Sequence, residues 1–413
     1  MEKNKKTSIV ALALITAVCL IGDSMLYIVL PIHWKEAGLS SLIEVGILLS
    51  INRFVRLPLN PLIGFIYTRI NLRNGILLAV LLAGITTVGY GLVNNFSLWL
   101  ILRSVWGIAW SLFKLGAFLL ILQLTSDSNR GHFVGTYNGL YRIGSLVGML
   151  VGGVLADIYG IKIISILVGL LSFMSIPFIY KFIPKAIERE ENKHQRISIR
   201  HYLHIFSNAK LIWIVVTAFF SIMILDGMLN ATLSHIININ FNNEYNMFGI
   251  VLGAASLAGL LQAIRWGIFP FISPLLGGVL DRTNRKGYML SFFLVIASIA
   301  LLIIPLQVPF IIWVPILLVH LLVTSSVTTI LDTIVTEIAT LEKNKVLIMT
   351  VYTVVVDLGA AFGPILGYTL EGKIGLTNLF WLGSVICFLL TLKWLIPEKG
   401  ITKEIKIETS SQN

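Results

Sequence analysis

Apolar runs of about 20 residues, the length that crosses the hydrocarbon core of a bilayer, recur along the chain and are parted by short polar turns. Twelve stand out, at about 8–31, 42–67, 75–93, 97–124, 133–157, 161–183, 210–236, 247–280, 287–305, 309–337, 346–370 and 376–396. Each predicts a membrane-crossing α-helix, because a helix satisfies its backbone N–H and C=O groups within itself. Arginines interrupt the second and eighth runs. The eighth is longer than one straight span needs, and tilt or a kink at Pro270 and Pro274 is expected to absorb the excess. One long polar segment, 184–209, separates the sixth and seventh runs. Its alternating charges predict a solvated linker with some amphipathic helix. The expected organisation is a six-helix bundle at 1–183, a cytoplasmic linker at 184–209, a second bundle at 210–396 and a tail at 397–413.

Composition agrees with that pattern. Of 413 residues, 56% are hydrophobic and only 12% charged, where a soluble domain carries roughly a quarter charged; mean hydropathy is +0.89. The net charge of +11 would by itself suggest a nucleic-acid partner, but its placement says otherwise. With both termini cytoplasmic, 22 of the 31 Lys and Arg residues fall on inside segments, six lie within spans, and only Lys35, Lys162 and Lys373 lie outside. Such a bias sets orientation in a plasma or inner membrane and accounts for the basic character without nucleic acid. Cys19 and Cys387 both sit in apolar runs, which supports neither a disulfide framework nor a zinc site. The start MEKNKK before an apolar run looks like a signal peptide. However, 8–31 is too long for one and lacks a small-residue cleavage site, so a retained span is expected. There is no Walker loop and no His-Glu-x-x-His pattern; His201 and His204 share a turn of the linker, where a surface role is expected. Neither an enzyme, a cofactor nor a metal site is predicted.

The chain also repeats itself. Asp23-Ser-Met-Leu in the first span matches Asp226-Gly-Met-Leu in the seventh, 203 residues on, and Gly148 and Gly152 match Gly359 and Gly363, 211 residues on. Gly64–Arg73, reading GFIYTRINLR, is a weaker copy of Gly277–Lys286, GGVLDRTNRK, 213 residues apart, each after a Pro-Leu-aliphatic-Gly lead-in. The second copy resembles the Gly-x-x-x-Asp-Arg-x-x-Arg-Arg/Lys loop of the major facilitator superfamily, which joins the second and third helices of each six-helix half. The first copy has Thr68 where that family has Asp. The resemblance implies an all-α membrane protein of twelve helices in two pseudo-symmetric bundles, with Gly64, Arg69, Arg73, Gly277, Asp281, Arg282 and Arg285 as conformational-loop residues. Asp281 would lock one state by pairing across the halves. Arg103-Ser-Val-Trp-Gly is similar to the Arg-x-x-Gln-Gly motif of proton-coupled members, with Trp106 in place of Gln. There the arginine biases the proton affinity of a nearby acid, here Asp23. Arg142-Ile-Gly with Gly148, Gly152 and Gly153 resembles the glycine-rich fifth-span motif of antiporters, without the Pro that Gly363-Pro364 keeps in the eleventh span.

Ionisable residues inside spans carry the chemistry, since each costs about 2.5–3.5 kcal/mol unless paired or facing water. Besides Asp23, Arg103 and Asp226, assigned to proton coupling, the polar stripes and aromatic positions nominate Tyr27, Arg53, Arg56, Asn60, Trp110, Lys114, Tyr141, Arg142, Asn230, Arg265, His320, Asp332 and Asp357 as cavity residues. Trp106, Tyr137 and Trp266 add apolar contact. Helical spacing places Arg53, Arg56 and Asn60 on one side of the second span. It also sets His320, Thr324, Thr328 and Asp332 in steps of four along the tenth.

These readings converge on a secondary transporter resembling the drug:proton antiporter branch. It would be a monomer exporting a small molecule, with protons flowing inward, by alternating access between two halves. Six basic against four acidic groups within spans point to an anionic or zwitterionic cargo such as a metallophore or organic acid. A proton-coupled importer of an organic anion is the alternative; a non-transporting receptor or scaffold on the same fold is the second.

Overall fold

The computed structural model describes residues 2–125, 130–185, 209–241, 245–247, 250–283, 285–341 and 345–396. Helix α1 is Glu2–His33, α2 Leu42–Arg69, α3 Leu72–Leu92 and α4 Phe96–Leu124. Arg130–Phe173 is one helical run broken at Gly160, whose φ of 79° and ψ of 163° suit glycine alone. The break separates α5, 130–159, from α6, 161–173, which a turn at Met174 and Ser175 continues into Ile176–Phe182. Three pieces make up α7: Ala209–Ser221, a π-helical Ile222–Met228, and Leu229–Phe241. The remainder are α8 Ala254–Arg282, α9 Lys286–Ile303, α10 Phe310–Leu341, α11 Lys345–Ile374 and α12 Leu376–Leu395. Residues 186–208 and 397–413, the body of the expected linker and tail, lie outside the described residues, as do His201 and His204.

Local chemistry sets several boundaries. The Ser41 hydroxyl accepts the Glu44 N–H at 3.4 Å, and the Glu44 carboxylate accepts the Ser40 N–H at 2.7 Å, which starts α2. The Asn95 side chain accepts the Leu98 N–H at 2.9 Å and starts α4. Large apolar side chains such as Ile85, Ile101, Leu167, Ile299, Ile311 and Leu389 stay exposed on the outside. Water would not tolerate so broad an apolar surface; lipid does.

The eighth span departs from expectation at its start. Residues 247–253 do not begin the helix: β1, Tyr245–Met247, pairs antiparallel with β2, Ile250–Leu252, and α8 starts only after Gly253. The β-branched pair Ile250-Val251 favours the strand, and the hairpin takes up the excess length. The helix then runs on through Pro270 and Pro274.

The faces of the molecule differ. One, the terminal face, carries the described ends near residues 6, 69–72, 183, 210, 283 and 341. The far face carries the turns at 34–41, 93–95, 160 and 304–309 and the paired strands β1 and β2. At the far face the two halves share one continuous core, from Leu26, Val45 and Ala156 to Leu233, Ala255 and Tyr368. Toward the terminal face the first half has a core of its own, built from Ile9, Ile63, Ile76, Phe113 and Ile179. Added Cβ atoms show the same gradient along α5. At Gly153 one would lie 2.7 Å from the Ala255 carbonyl of the other half, whereas at Gly135 and Gly139 nothing stands within 4 Å. Among the described residues the halves are thus closed at the far face and parted at the terminal face.

Candidate functional site

Midway between the faces a cavity of about 330 Å³ lies between the halves, lined from α1, α2, α4 and α5 on one side and from α7, α8 and α11 on the other. Four basic side chains (Arg53, Arg56, Lys114, Arg142) and three acidic ones (Asp23, Asp226, Asp357) face it, with Tyr27, Trp106, Trp110, Tyr141 and Trp266 as aromatic wall.

Each acid meets an arginine. Asp23 pairs with Arg103, which reaches it from behind the wall; Arg103 is fully buried and its Nε also donates to the Leu48 carbonyl at 2.8 Å. Asn52 donates to the same carboxylate oxygen of Asp23 at 3.2 Å. In the other half Arg265 holds Asp226 at 3.0 Å and donates to Asn230 and Ser325, both at 3.2 Å. Asn230 in turn donates to Asp226 at 2.9 Å and accepts from Gln262 at 2.6 Å. Arg56 of α2 stands 4.0 Å from Asp357 of α11, an ion pair across the two halves. These pairs explain how the charges survive at mid-membrane depth: polar atoms of the site replace the water each would lose.

The π-helical segment of α7 includes Asp226, and such segments widen a helix locally and often mark functional positions. The Thr324 hydroxyl of α10 approaches the Leu225 carbonyl there at 3.4 Å. The aromatic wall is organised around cations. The Trp266 ring has Arg265 5.1 Å away and Arg142 of the other half 5.5 Å away, while Arg53 lies 5.9 Å from the Tyr27 ring. Trp110 meets Tyr141 edge to face at 5.4 Å.

Of the residues nominated from sequence, Asp23, Tyr27, Arg53, Arg56, Trp110, Lys114, Tyr141, Arg142, Asp226, Asn230 and Asp357 face this one cavity. Arg103 and Arg265 stand behind it as partners of the acids rather than as lining. Asn60, Asp332 and His320 do not line it. Asn60 is exposed nearer the terminal face, and Asp332, also exposed, accepts a hydrogen bond from Tyr352 at 2.6 Å. His320 is fully buried. The stripe of steps of four on α10 does not reach this cavity, and its Thr324 and Thr328 donate to the carbonyls four residues back, at 2.9 and 3.0 Å. A hydroxyl so satisfied needs no water. Sequence reasoning missed Asn52, Gln262, Ser24 and Ser145, the last two bonded to each other at 3.1 Å. The amides left a signal: Asn52 adjoins Arg53, and Gln262 lies three residues before Arg265.

The conformational-loop residues pin each half internally. Arg73 donates to the Ile183 carbonyl at 2.8 Å, Arg69 lies over the Phe65 ring at 5.1 Å, and Lys286 pairs with Glu337 at 2.7 Å. Arg282 and Arg285 are exposed, and a Cβ on Gly64 would meet nothing within 4 Å. The Asp281 side chain and Gly277 lie outside the described side chains, and with them the expected lock. Among the described residues no cluster of His, Cys, Asp or Glu is suited to a metal ion.

Comparison with known proteins places this arrangement. The sequence profile of the family described as Major Facilitator Superfamily matches residues 12–340 and, overlapping, 266–411. The chain belongs to the Major Facilitator Superfamily. Its members are secondary transporters, not enzymes, and it is a multi-pass membrane protein. It is 25% identical over 256 residues to multidrug resistance protein MdtG of Proteus mirabilis, covering 60% of this chain and 62% of that one. An uncharacterized MFS-type transporter of Methanocaldococcus jannaschii is 22% identical over 283 residues, 68% of this chain and 71% of the other. The matches to MdtG thus span less than two thirds of that relative. Among solved structures, a bacterial homologue of the human lysosomal transporter Spinster, inward-facing and unoccupied, has a TM-score of 0.71 at 14% identity, covering 95% of both chains. The peptide transporter POT, in complex with sulfate, has a TM-score of 0.72 at 11% identity, covering 95% of this chain and 93% of that one. At these identities the likeness is of fold.

Proposed function

We propose that this superfamily member exports a small organic anion or zwitterion in exchange for protons, with Asp23 as the proton carrier and Arg103 as its modulator. The observation that carries the reading is the placement of Asp23: it faces the cavity while a fully buried arginine pairs with it from behind. A carboxylate that meets both the cargo space and a buried cation can exchange its proton when the cavity changes access, since a change in its distance from the guanidinium changes its proton affinity. Asp226, held by Arg265, is the second coupling or cargo-contacting acid.

Charge supports the cargo class. Arginines meet all three acids of the lining, and Arg53 and Lys114 add positive charge beyond those pairs. The aromatic wall suits a flat apolar body. Export is supported by the relatives named multidrug resistance proteins. With the terminal face cytoplasmic, as the charge bias suggests, the cavity opens to the cytoplasm, from which an exporter loads.

The test is transport in inverted vesicles, using salicylate as the anionic probe and ethidium as the cationic control. An imposed proton gradient should drive salicylate in. Asp23→Asn should abolish gradient-driven accumulation while sparing salicylate counterflow. Transport that survives collapse of the proton gradient would remove the coupling role from Asp23. Gradient-driven uptake in right-side-out vesicles instead would make the protein an importer.

A further inference from the structure

The far face, where the halves meet, holds a polar cluster distant from the cavity lining. Helix α8 begins at Gly253, a cap residue with no side chain to receive the first-turn N–H groups. The missing acceptor comes from the other half. Asp157, near the end of α5, accepts the Ser256 backbone N–H at 2.8 Å and the Ser256 hydroxyl at 2.5 Å, both on Oδ2. Glycine at 253 is what leaves room, because a Cβ there would run into that carboxylate.

The other carboxylate oxygen is held from α1. His33 presents Nε2 to Asp157 Oδ1 at 3.5 Å and Nδ1 to Glu36 at 3.1 Å. Glu36 also accepts the Ile161 N–H at 3.3 Å, just past the break at Gly160. The His33 imidazole, itself held by the Glu36 carboxylate, therefore braces the Asp157 carboxylate whose other oxygen points at the second half. That oxygen sits at the positive end of the α8 dipole, on an N–H with no partner of its own within the helix.

We propose that Asp157 is the positioning residue that holds the far face shut, acting as an N-terminal cap supplied in trans. Alternating access requires the far face to open once per cycle, and opening carries Asp157 away from Ser256 and leaves the first turn of α8 uncapped. The clasp thus biases the resting protein toward the state open at the terminal face. This inference rests on the alternating access of the family and not on the cargo or coupling proposed above.

The experiment is a distance measurement on purified, lipid-reconstituted full-length protein, with neither cargo nor proton gradient, so its failure is separable from failure of the export reading. Cys19 and Cys387 are replaced by Ala, and spin labels are placed at Lys35→Cys and Lys373→Cys, exposed far-face positions in opposite halves. A second pair, at Thr68→Cys and Arg285→Cys, reads the terminal face. In the parent the far-face pair should be predominantly short. Asp157→Ala should raise the long-distance population about tenfold, the factor expected for loss of one helix cap, with matching shortening at the terminal face. Gly253→Ala, which crowds the carboxylate out but keeps its charge, should act in the same direction, and Asp157→Glu should restore part of the short population. A lowered melting temperature with unchanged distances would make Asp157 a purely structural cap and overturn the proposal. So would distances and melting both unchanged.

Discussion

Asp23 and Asp226 occupy matching positions of the repeat, yet their arginines come from different places, Arg103 on α4 and Arg265 on α8. The acid is inherited from the duplication; the partner is not. Each pair protects its arginine above all, because Arg103 and Arg265 are buried behind the cavity wall while the acids keep partial access to it. Arg265→Ala should destabilise the protein by about 3–5 kcal/mol, read as a lowered thermal unfolding midpoint in detergent. Adding Asp226→Asn should recover a large part of that loss; simple additivity of the two changes would show the pair to be uncoupled. Arg56→Gln should be milder, near the ~1 kcal/mol typical of solvent-accessible pairs, since Arg56 and Asp357 stand as far as 4.0 Å apart and keep partial access to the cavity. Which acids and cations matter was readable from their depth in apolar runs. Their pairings were not, because 80 residues separate Arg103 from Asp23 and 39 separate Arg265 from Asp226.

Among the elements, α5 shows how backbone decides packing. Its glycines let α1 approach so closely that a Cβ at Gly148 would sit 2.5 Å from the Ile21 carbonyl. Gly148→Leu should force the helices apart, costing about 1–3 kcal/mol as overpacking does and stopping transport; a fully active, undiminished variant would show that the contact tolerates separation. Gly160 is required for a different reason, its positive φ. Gly160→Ala should cost about 1–3 kcal/mol of backbone strain and loosen the Glu36 contact to Ile161, measurable as faster hydrogen exchange at the start of α6. The helices themselves were legible, since bilayer thickness fixes their length and caps such as Ser41 and Asn95 sit where apolar runs begin. The hairpin before α8 was not, because Ile250 and Val251 read as apolar span as readily as strand. The π-helical turn of α7 likewise leaves no periodic trace in Ile222–Met228.

Over the whole molecule, the halves form one core at the far face and part at the terminal face, with the charged cavity where they diverge. The positive excess of that cavity should govern what it holds. Arg53→Gln combined with Lys114→Gln should weaken salicylate binding at least tenfold, or about 1.4 kcal/mol, as read by a thermal-shift titration, while leaving ethidium response unchanged. Loss of both together would mean that the variant has lost its shape rather than its selectivity. The sequence by itself determined the number of spans, their division into two similar halves, the family, and the short roll of charges that need protection. Those follow from composition along one dimension: a bilayer demands a fixed apolar length, and a buried charge stands out against it. Tertiary structure alone decided which of those charges share a chamber, why His320, Asn60 and Asp332 stand apart from it, and that Asp157 caps a helix of the other half. Each of these depends on how helices are rotated and tilted against neighbours far away in the chain, and a polar group satisfied by its own helix is spaced along the sequence just like one that faces water.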